Sequence, residues 1–486
     1  MKHSLKKLWQ ATSVFYSFHY SVILVYMLQN TEYQVGPYLK WYWRTQNFTK
    51  VMTRRKLDKT KAARAVLFGL RTGMLLQILT GLWLVYLGVW GNVTGGVEFG
   101  LAVVVSYPII WAHLVAVPLE LGRILIVLPK QKRQIIASEK IFKNHKGAKI
   151  AIAGSYGKTS MKELLLTVLG EGKKVAATPA NKNVPVSHAQ FASKLTGDED
   201  ILLIEYGEGA PGDVERFAKT THPTHGVITG LAPAHLDHYK TLKAAGEDIF
   251  SLAKYLKGKN IYVNGESPSA KEFLLKEFHL YNQDGALGWK VSDVKVGVDG
   301  LGFTLTKGKK NLKLRSHLIG RHQIGPLSLA AVLAHEFGLS DEQIEAGISK
   351  TAPFEHRMQP YLLSGGWIID DTYNGNIEGI RAGTQLLKDL PAKRKLYVTP
   401  GLVDQGEENE RVHIEVGELI ATAQPDIVVL MQNSTTKFIQ KGLESAGFAG
   451  ELRIEQNPLE FYNNLREFVA VGDVALLQND WPDNYA

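Results

Sequence analysis

The sequence predicts an α/β protein preceded by a helical transmembrane region, and three observations support that fold class. Beyond Lys149, short apolar runs alternate regularly with amphipathic stretches. The first of these runs, Ile150-Ala151-Ile152-Ala153, leads directly into Gly154-Ser155-Tyr156-Gly157-Lys158-Thr159-Ser160. Ahead of it, residues 72–97 and 99–118 contain no charged side chain.

From the start of the chain, residues 8–30 are uncharged and aromatic-rich, interrupted by His19. This segment suits an interfacial or re-entrant position as well as a crossing, because Lys2, Lys6 and Lys7 precede it. Tyr38-Leu39-Lys40-Trp41-Tyr42-Trp43-Arg44 mixes aromatic and basic residues as a membrane–water boundary does. Residues 72–97 and 99–118 are each long enough to cross a bilayer, which takes roughly 20 helical residues. Their connection, Gly91-Asn92-Val93-Thr94-Gly95-Gly96, is uncharged, whereas Arg54, Arg55, Lys56, Lys59, Lys61 and Arg64 precede the pair and Lys130, Lys132, Arg133, Lys140 and Lys143 follow it. Basic flanks around a neutral turn predict a hairpin in the inner (cytoplasmic) membrane with both ends cytoplasmic.

The net charge of +9 divides unevenly along the chain. Residues 1–150 hold 21 Lys and Arg against 5 Asp and Glu, and residues 151–486 hold 35 against 42. The basic excess therefore belongs to the apolar third, which points to a membrane and away from nucleic acid. The chain has no cysteine, which excludes disulfides, thiolate metal sites and cysteine nucleophiles.

After Lys149 the pattern predicts strand 149–153, helix 159–169, strand 174–178, helix 186–195, strand 200–205 and helix 212–220. Strand 225–229, helix 241–256 and strand 260–264 follow. Such alternation makes a mostly parallel sheet covered by helices. Residues 291–318 alternate Val, Phe and Leu around glycines and predict an antiparallel flap, closed by helices 323–337 and 340–349. A second α/β unit follows Arg357, with strands near 367–371, 395–399, 426–431 and 474–478. The predicted domains are a membrane region over 1–146, a P-loop-type parallel-sheet domain over 147–352 and a Rossmann-like α/β domain over 353–486. The pivot lies near Pro353, so ligands should occupy the cleft between the sheets.

The glycine-rich segment is a strand-to-helix turn of the kind that cradles phosphates. Backbone amides and the helix N-terminus meet the anion, Lys158 adds a point charge and Thr159 offers a hydroxyl to Mg²⁺. Ile152 stands where the usual pattern has its first glycine. Glu205 ends the apolar run Ile201-Leu202-Leu203-Ile204, a position suited to a Mg²⁺ ligand beside a phosphate loop. His235 lies just beyond another strand end, in Ala234-His235-Leu236-Asp237. Thr178-Pro179-Ala180-Asn181-Lys182-Asn183 follows a third.

Together with Gly320-Arg321-His322-Gln323, Glu355-His356-Arg357 and Asp370-Asp371-Thr372-Tyr373-Asn374-Gly375-Asn376, these segments resemble the Mur ligase family over roughly residues 147–480. The last segment is most like the branch that adds D-Ala-D-Ala to a UDP-linked muropeptide. The resemblance implies an ATP-dependent amide ligase of cell-wall peptidoglycan synthesis. A muropeptide carboxylate, UDP- or lipid-linked, is activated as an acyl phosphate and joined to an amino acid or dipeptide amine. It implies that Gly154, Ser155, Gly157, Lys158, Thr159, Ser160 and Asn181 surround the ATP phosphates, and that Thr159, Glu205 and His235 hold Mg²⁺. It implies catalytic roles for Lys158, Glu205 and His235, a place near adenine for Gln323, and phosphate and ribose contacts from Arg357, Asp371 and Asn374.

Three departures qualify the resemblance. The family's carbamylated, metal-binding lysine is Gly246 here, in Lys243-Ala244-Ala245-Gly246-Glu247, leaving Glu247 or another nearby group to substitute. Leu477-Gln478-Asn479-Asp480-Trp481-Pro482-Asp483 replaces a Lys-Gly-Ser region near the incoming dipeptide. The small domain that binds the UDP-sugar has no counterpart, and the membrane region stands in its place. Two other readings remain: a nucleotide-binding scaffold at the membrane, and a polyglutamate- or folate-type ligase.

Overall fold

The computed structural model describes residues 14–479 apart from 32, 46–47, 49–56, 180–182, 234–238, 374, 404 and 406–407. The chain divides into two compact units at Arg133 and Gln134.

In the first unit, α1 (Phe18–Asn30) and α2 (Val35–Arg44) precede two long helices, α3 (Lys61–Trp90) and α4 (Gly96–Leu114). Helix α1 has 13 residues, about 20 Å at 1.5 Å per residue, short of a bilayer's roughly 30 Å. It packs through Tyr20, Ile23, Leu24 and Leu28 into a cluster with Tyr38, Leu70, Met74 and Tyr107. The Tyr20 and Tyr38 hydroxyls donate to the Pro108 and Ala112 carbonyls, each at 3.0 Å. Helices α3 and α4 lie in close contact because glycines face one another. A Cβ on Gly81 would come within 2.9 Å of the Gly100 carbonyl oxygen, and one on Gly100 within 2.6 Å of that of Gly81. The outer surface is apolar and exposed, with Leu79, Leu82, Trp83 and Trp90 on α3 and Phe99 and Val105 on α4. Helix α3 and the helical stretch from Gly96 are long and apolar enough to cross a membrane. Beyond them run α5 (Ala116–Gly122), a π-helical turn (Arg123–Val127) and α6 (Leu128–Asn144).

Among the described residues the second unit is mixed α/β and holds two sheets. The strands β1 (Ala148–Ala153), β2 (Val175–Ala177), β3 (Ile201–Glu205), β4 (His225–Ile228), β5 (Ile261–Asn264) and β6 (His279–Asn282) pair in parallel. Helices cover both faces because successive strand residues point opposite ways. Ile150 and Ile152 meet α7 (Lys158–Leu169), whereas Ala151 and Ala153 face the side of α8 (Pro185–Ala192) and α9 (Asp213–Thr221). The expected helix over 241–256 is realised as α10 (Leu242–Ile249) and α11 (Ser251–Tyr255).

The predicted antiparallel strands are present, and they continue this sheet instead of standing apart as a flap. The strands β7 (Gly285–Ala286), β8 (Trp289–Gly297), β9 (Gly300–Lys307) and β10 (Lys310–Ser316) extend it to ten strands. Leu301, Phe303, Leu305, Leu312 and Leu314 join the main core beneath α12 (Ile324–Glu336) and α13 (Asp341–Ser349). At the outer edge Lys310, Lys313 and Arg315 are exposed, and the Lys313 amide donates to Glu345 Oε1 at 3.0 Å.

The second sheet has six strands. In chain order they are β11 (Gln359–Leu363), β12 (Gly366–Asp371), β13 (Arg394–Thr399), β14 (Ile427–Met431), β15 (Glu451–Glu455) and β16 (Asp473–Gln478). All pairings are parallel except that of β11 with β12. Helix α14 (Ile377–Asp389) follows β12 and α15 (Asn409–Thr422) follows β13. The outermost strands β11 and β15 were not among the four expected. β11 contains Pro360 and β15 alternates charge with apolar residues, so neither forms the apolar run of a buried strand.

Candidate functional site

The site begins where β1 ends. Gly154 has φ 143°, and a Cβ there would lie 2.3 Å from Thr229 Oγ1, so the turn closes only on glycine. Gly157, at φ 72°, opens α7 in the left-handed conformation. The helix then places Lys158 and Thr159 in its first turn. Lys158 Nζ donates to the Gly154 carbonyl at 2.5 Å and to Glu208 Oε1 at 2.8 Å. Thr159 Oγ1 donates to Glu205 Oε1 at 3.0 Å, so the two oxygens expected to meet a cation are already adjacent. One turn on, the fully buried Lys162 Nζ lies 3.2 Å from Glu205 Oε2.

Glu205 is buried at the carboxyl end of β3. Its amide donates to Thr178 Oγ1 at 3.1 Å, and His188 Nε2 donates to its carbonyl at 2.8 Å. Burial pushes the His188 imidazole down to about 4, so the ring stays neutral. His188 was not singled out from the sequence, where it reads as one polar residue on a core helix.

A cavity of about 1270 Å³ opens over these strand ends, lined from the other side by the second sheet. Ser155, Gly157, Lys158, Thr159, Ser160 and Glu205 line it, and Gln323, Arg357 and Asp371 join them. Arg357 lies over the Tyr373 ring, 4.5 Å from its centroid. Asp371 accepts from the Met358 amide at 3.2 Å and from Gln478 Nε2 at 2.8 Å. Burial nevertheless raises its carboxyl to about 7, with the Asp370 charge adding to the effect. Burial also pushes the His322 imidazole down to about 4. Asn181, His235 and Asn374 lie outside the described residues.

Further polar residues on the cavity wall escaped the sequence reading: Asn264 at the end of β5, and Glu266 with Gln283 at 2.6 Å. Position alone could have found them, because each lies at or just beyond the end of a parallel strand, on the sheet edge that bears the glycine-rich turn.

The donor set fits Mg²⁺ at the Thr159–Glu205 pair, a hydroxyl and a carboxylate of the hard-oxygen kind that ion prefers. It does not fit the family's lysine-held second metal. A Cβ on Gly246 would lie 2.3 Å from the Phe273 ring and 3.0 Å from Leu231, so the space belongs to the core. Glu247 is exposed and does not line the cavity. The Asp248 carboxylate accepts from Tyr239 at 2.7 Å and from the Gly212 amide at 2.8 Å. Among the described residues no cluster of three His, Asp or Glu is placed to hold a metal.

Residues 152–334 match the Mur ligase middle domain. The UDP-N-acetylmuramoyl-tripeptide–D-alanyl-D-alanine ligase of Escherichia coli (strain K12) is 28% identical over 291 residues, 58% of this chain and 63% of that protein. The enzyme of the same name from Mycobacterium tuberculosis (strain H37Rv) is 27% identical over 345 residues, 67% of this chain and 66% of that one. The chain thus spans somewhat under two thirds of the length of these relatives. Among solved structures, MurF from Thermotoga maritima in complex with ADP superposes with a TM-score of 0.62 at 19% identity, covering 72% of this chain and 80% of that one. MurF from Acinetobacter baumannii gives 0.61 at 18%, covering 72% and 77%. The chain carries a Mur ligase middle domain, within a mixed α/β fold like that of MurF.

Proposed function

We propose that the chain is a membrane-anchored, ATP-dependent amide ligase of peptidoglycan precursor synthesis, MurF-like in its chemistry. The observation that supports this most is the contact of Thr159 with Glu205 beside Lys158, in a cleft that Arg357 and Asp371 enter from the second sheet. Residues 147–352 would form the ATP-binding domain and residues 353–486 the domain that completes it. Gly154, Ser155, Gly157 and Ser160 present backbone and hydroxyl donors to the ATP phosphates. Lys158 neutralises the migrating phosphoryl group, as does Arg357. Mg²⁺, when bound, would supply charge neutralisation for the transferred phosphoryl group. Thr159 and Glu205 would hold it, with His235 contributing. Asp371 and Asn374 would meet the ribose, Gln323 the base side and Asn181 the phosphate end. A muropeptide carboxylate attacks the γ-phosphorus and ADP leaves; the incoming amine, D-Ala-D-Ala in the first instance, then displaces phosphate and loses a proton.

Residues 1–146 would hold the enzyme at the inner membrane by the α3–α4 hairpin. Its exposed apolar surface, basic flanks and neutral turn support that reading. The muropeptide would then be lipid-linked or otherwise presented at the membrane face. The packing at Gly246 favours a second reading, a nucleotide-binding scaffold without turnover.

The test is ADP release by the detergent-purified protein with ATP, Mg²⁺ and D-Ala-D-Ala. The acceptor is UDP-linked muropeptide or its lipid-linked counterpart. We expect release with the lipid-linked acceptor and its loss in Lys158→Ala. Release with the soluble acceptor alone would remove the lipid-linked part of the reading, and silence with both would leave the scaffold.

A further inference from the structure

Lys158, on the wall of the cavity, already has an anion for a partner. Glu208 is buried at 7% exposure, three residues beyond the end of β3, and its Oε1 lies 2.8 Å from Lys158 Nζ. Lys158 is therefore engaged from two sides, by the Gly154 carbonyl and by this carboxylate. Around it, Lys162 lies 3.2 Å from Glu205 and 3.4 Å from Glu163, so three carboxylates already face these two ammonium groups before any nucleotide arrives. A nucleotide brings several further negative charges to a cluster already rich in carboxylates. For its phosphates to take Lys158, the ammonium must be drawn from Glu208 or shared with it, which weakens an ion pair of a buried carboxylate.

Resting on the nucleotide reading above, we propose that Glu208 is a positioning residue. It holds Lys158 as a built-in rival of the incoming phosphates, so that nucleotide enters effectively only with a divalent cation. A cation next to the Thr159–Glu205 pair would offset the negative charge that the phosphates add. A neutral side chain at 208 would leave Lys158 open to phosphate and weaken the dependence of nucleotide affinity on the cation.

The test is equilibrium binding of ADP to the full-length protein in detergent, with and without Mg²⁺, for wild type, Glu208→Gln and Glu208→Asp. Thermal unfolding reports whether each variant is folded. Without Mg²⁺, Glu208→Gln should bind ADP about ten-fold more tightly than wild type, and the gap should narrow when Mg²⁺ is present. Glu208→Asp withdraws the carboxylate by one methylene and should move the same way by less, which keeps the question open to decision if the glutamine variant does not fold. Affinity that is unchanged or weaker in a folded variant without Mg²⁺ overturns the role of Glu208 alone. Wild type that binds ADP under neither condition overturns the nucleotide reading as well.

Discussion

Asp371 shows how one side chain can tie the site to pH. Its carboxyl is raised to about 7 in the folded chain, chiefly by burial, although Met358 and Gln478 donate to it. Unfolded aspartate titrates near about 3.9. Between those values the folded state keeps a proton that the unfolded state has released, so this residue lowers stability as pH rises through the interval. The effect is at most about 4 kcal/mol, taking about 1.4 kcal/mol for each pH unit. Denaturant unfolding of Asp371→Asn from pH 4 to 7 should show this descending component removed. A slope equal to wild type would mean that the carboxyl titrates in its ordinary range. At the same scale, Glu205 could be read from the sequence because an apolar run ends on it. His188 and Glu208 could not, since their partners Glu205 and Lys158 lie 17 and 50 residues away.

Among the elements, the α3–α4 hairpin depends on where small residues fall. Gly81 and Gly100 let two backbones approach within a distance that any Cβ would block, whereas Gly69 on α3 faces open space. In a lipid-like solvent such packing replaces the hydrophobic drive that water would supply. Gly81→Leu should therefore cost about 1–3 kcal/mol of overpacking and lower the melting temperature in detergent by a few degrees. Gly69→Leu should leave it unchanged; equal effects from the two would deny the contact its role. The residues of β8, β9 and β10 teach a related lesson. Alternating Leu, Phe and Val specify strands with one buried face, but not the sheet whose edge they join. Pairing with β7 decided that, and the expected flap became part of the main sheet.

For the molecule as a whole, the order of elements was legible because turn chemistry and alternating apolar runs are local. The glycine-rich turn fell between β1 and α7 and the second sheet after Arg357, as the pattern required. The packing at Gly246 was not legible, since a glycine reveals nothing of the Phe273 ring that fills its space. The proposed membrane arrangement has a direct test, aided by a chain without cysteine. Thr94→Cys should react with an impermeant maleimide on intact cells, and Lys140→Cys only after permeabilisation. Labelling of both from the same side would refute the hairpin with cytoplasmic ends. The margins of the two sheets have a different consequence. One ends on the three residues of β2 and another on β10, with its lysines and its amide bound to Glu345. The others carry Pro360 and the exposed charges of Glu451 and Arg453. Such borders resist strand addition by another chain. Copies crowded side by side on a shared surface would thus meet without an open ladder to propagate. Growth by adding strand to strand is thereby disfavoured at each of these margins.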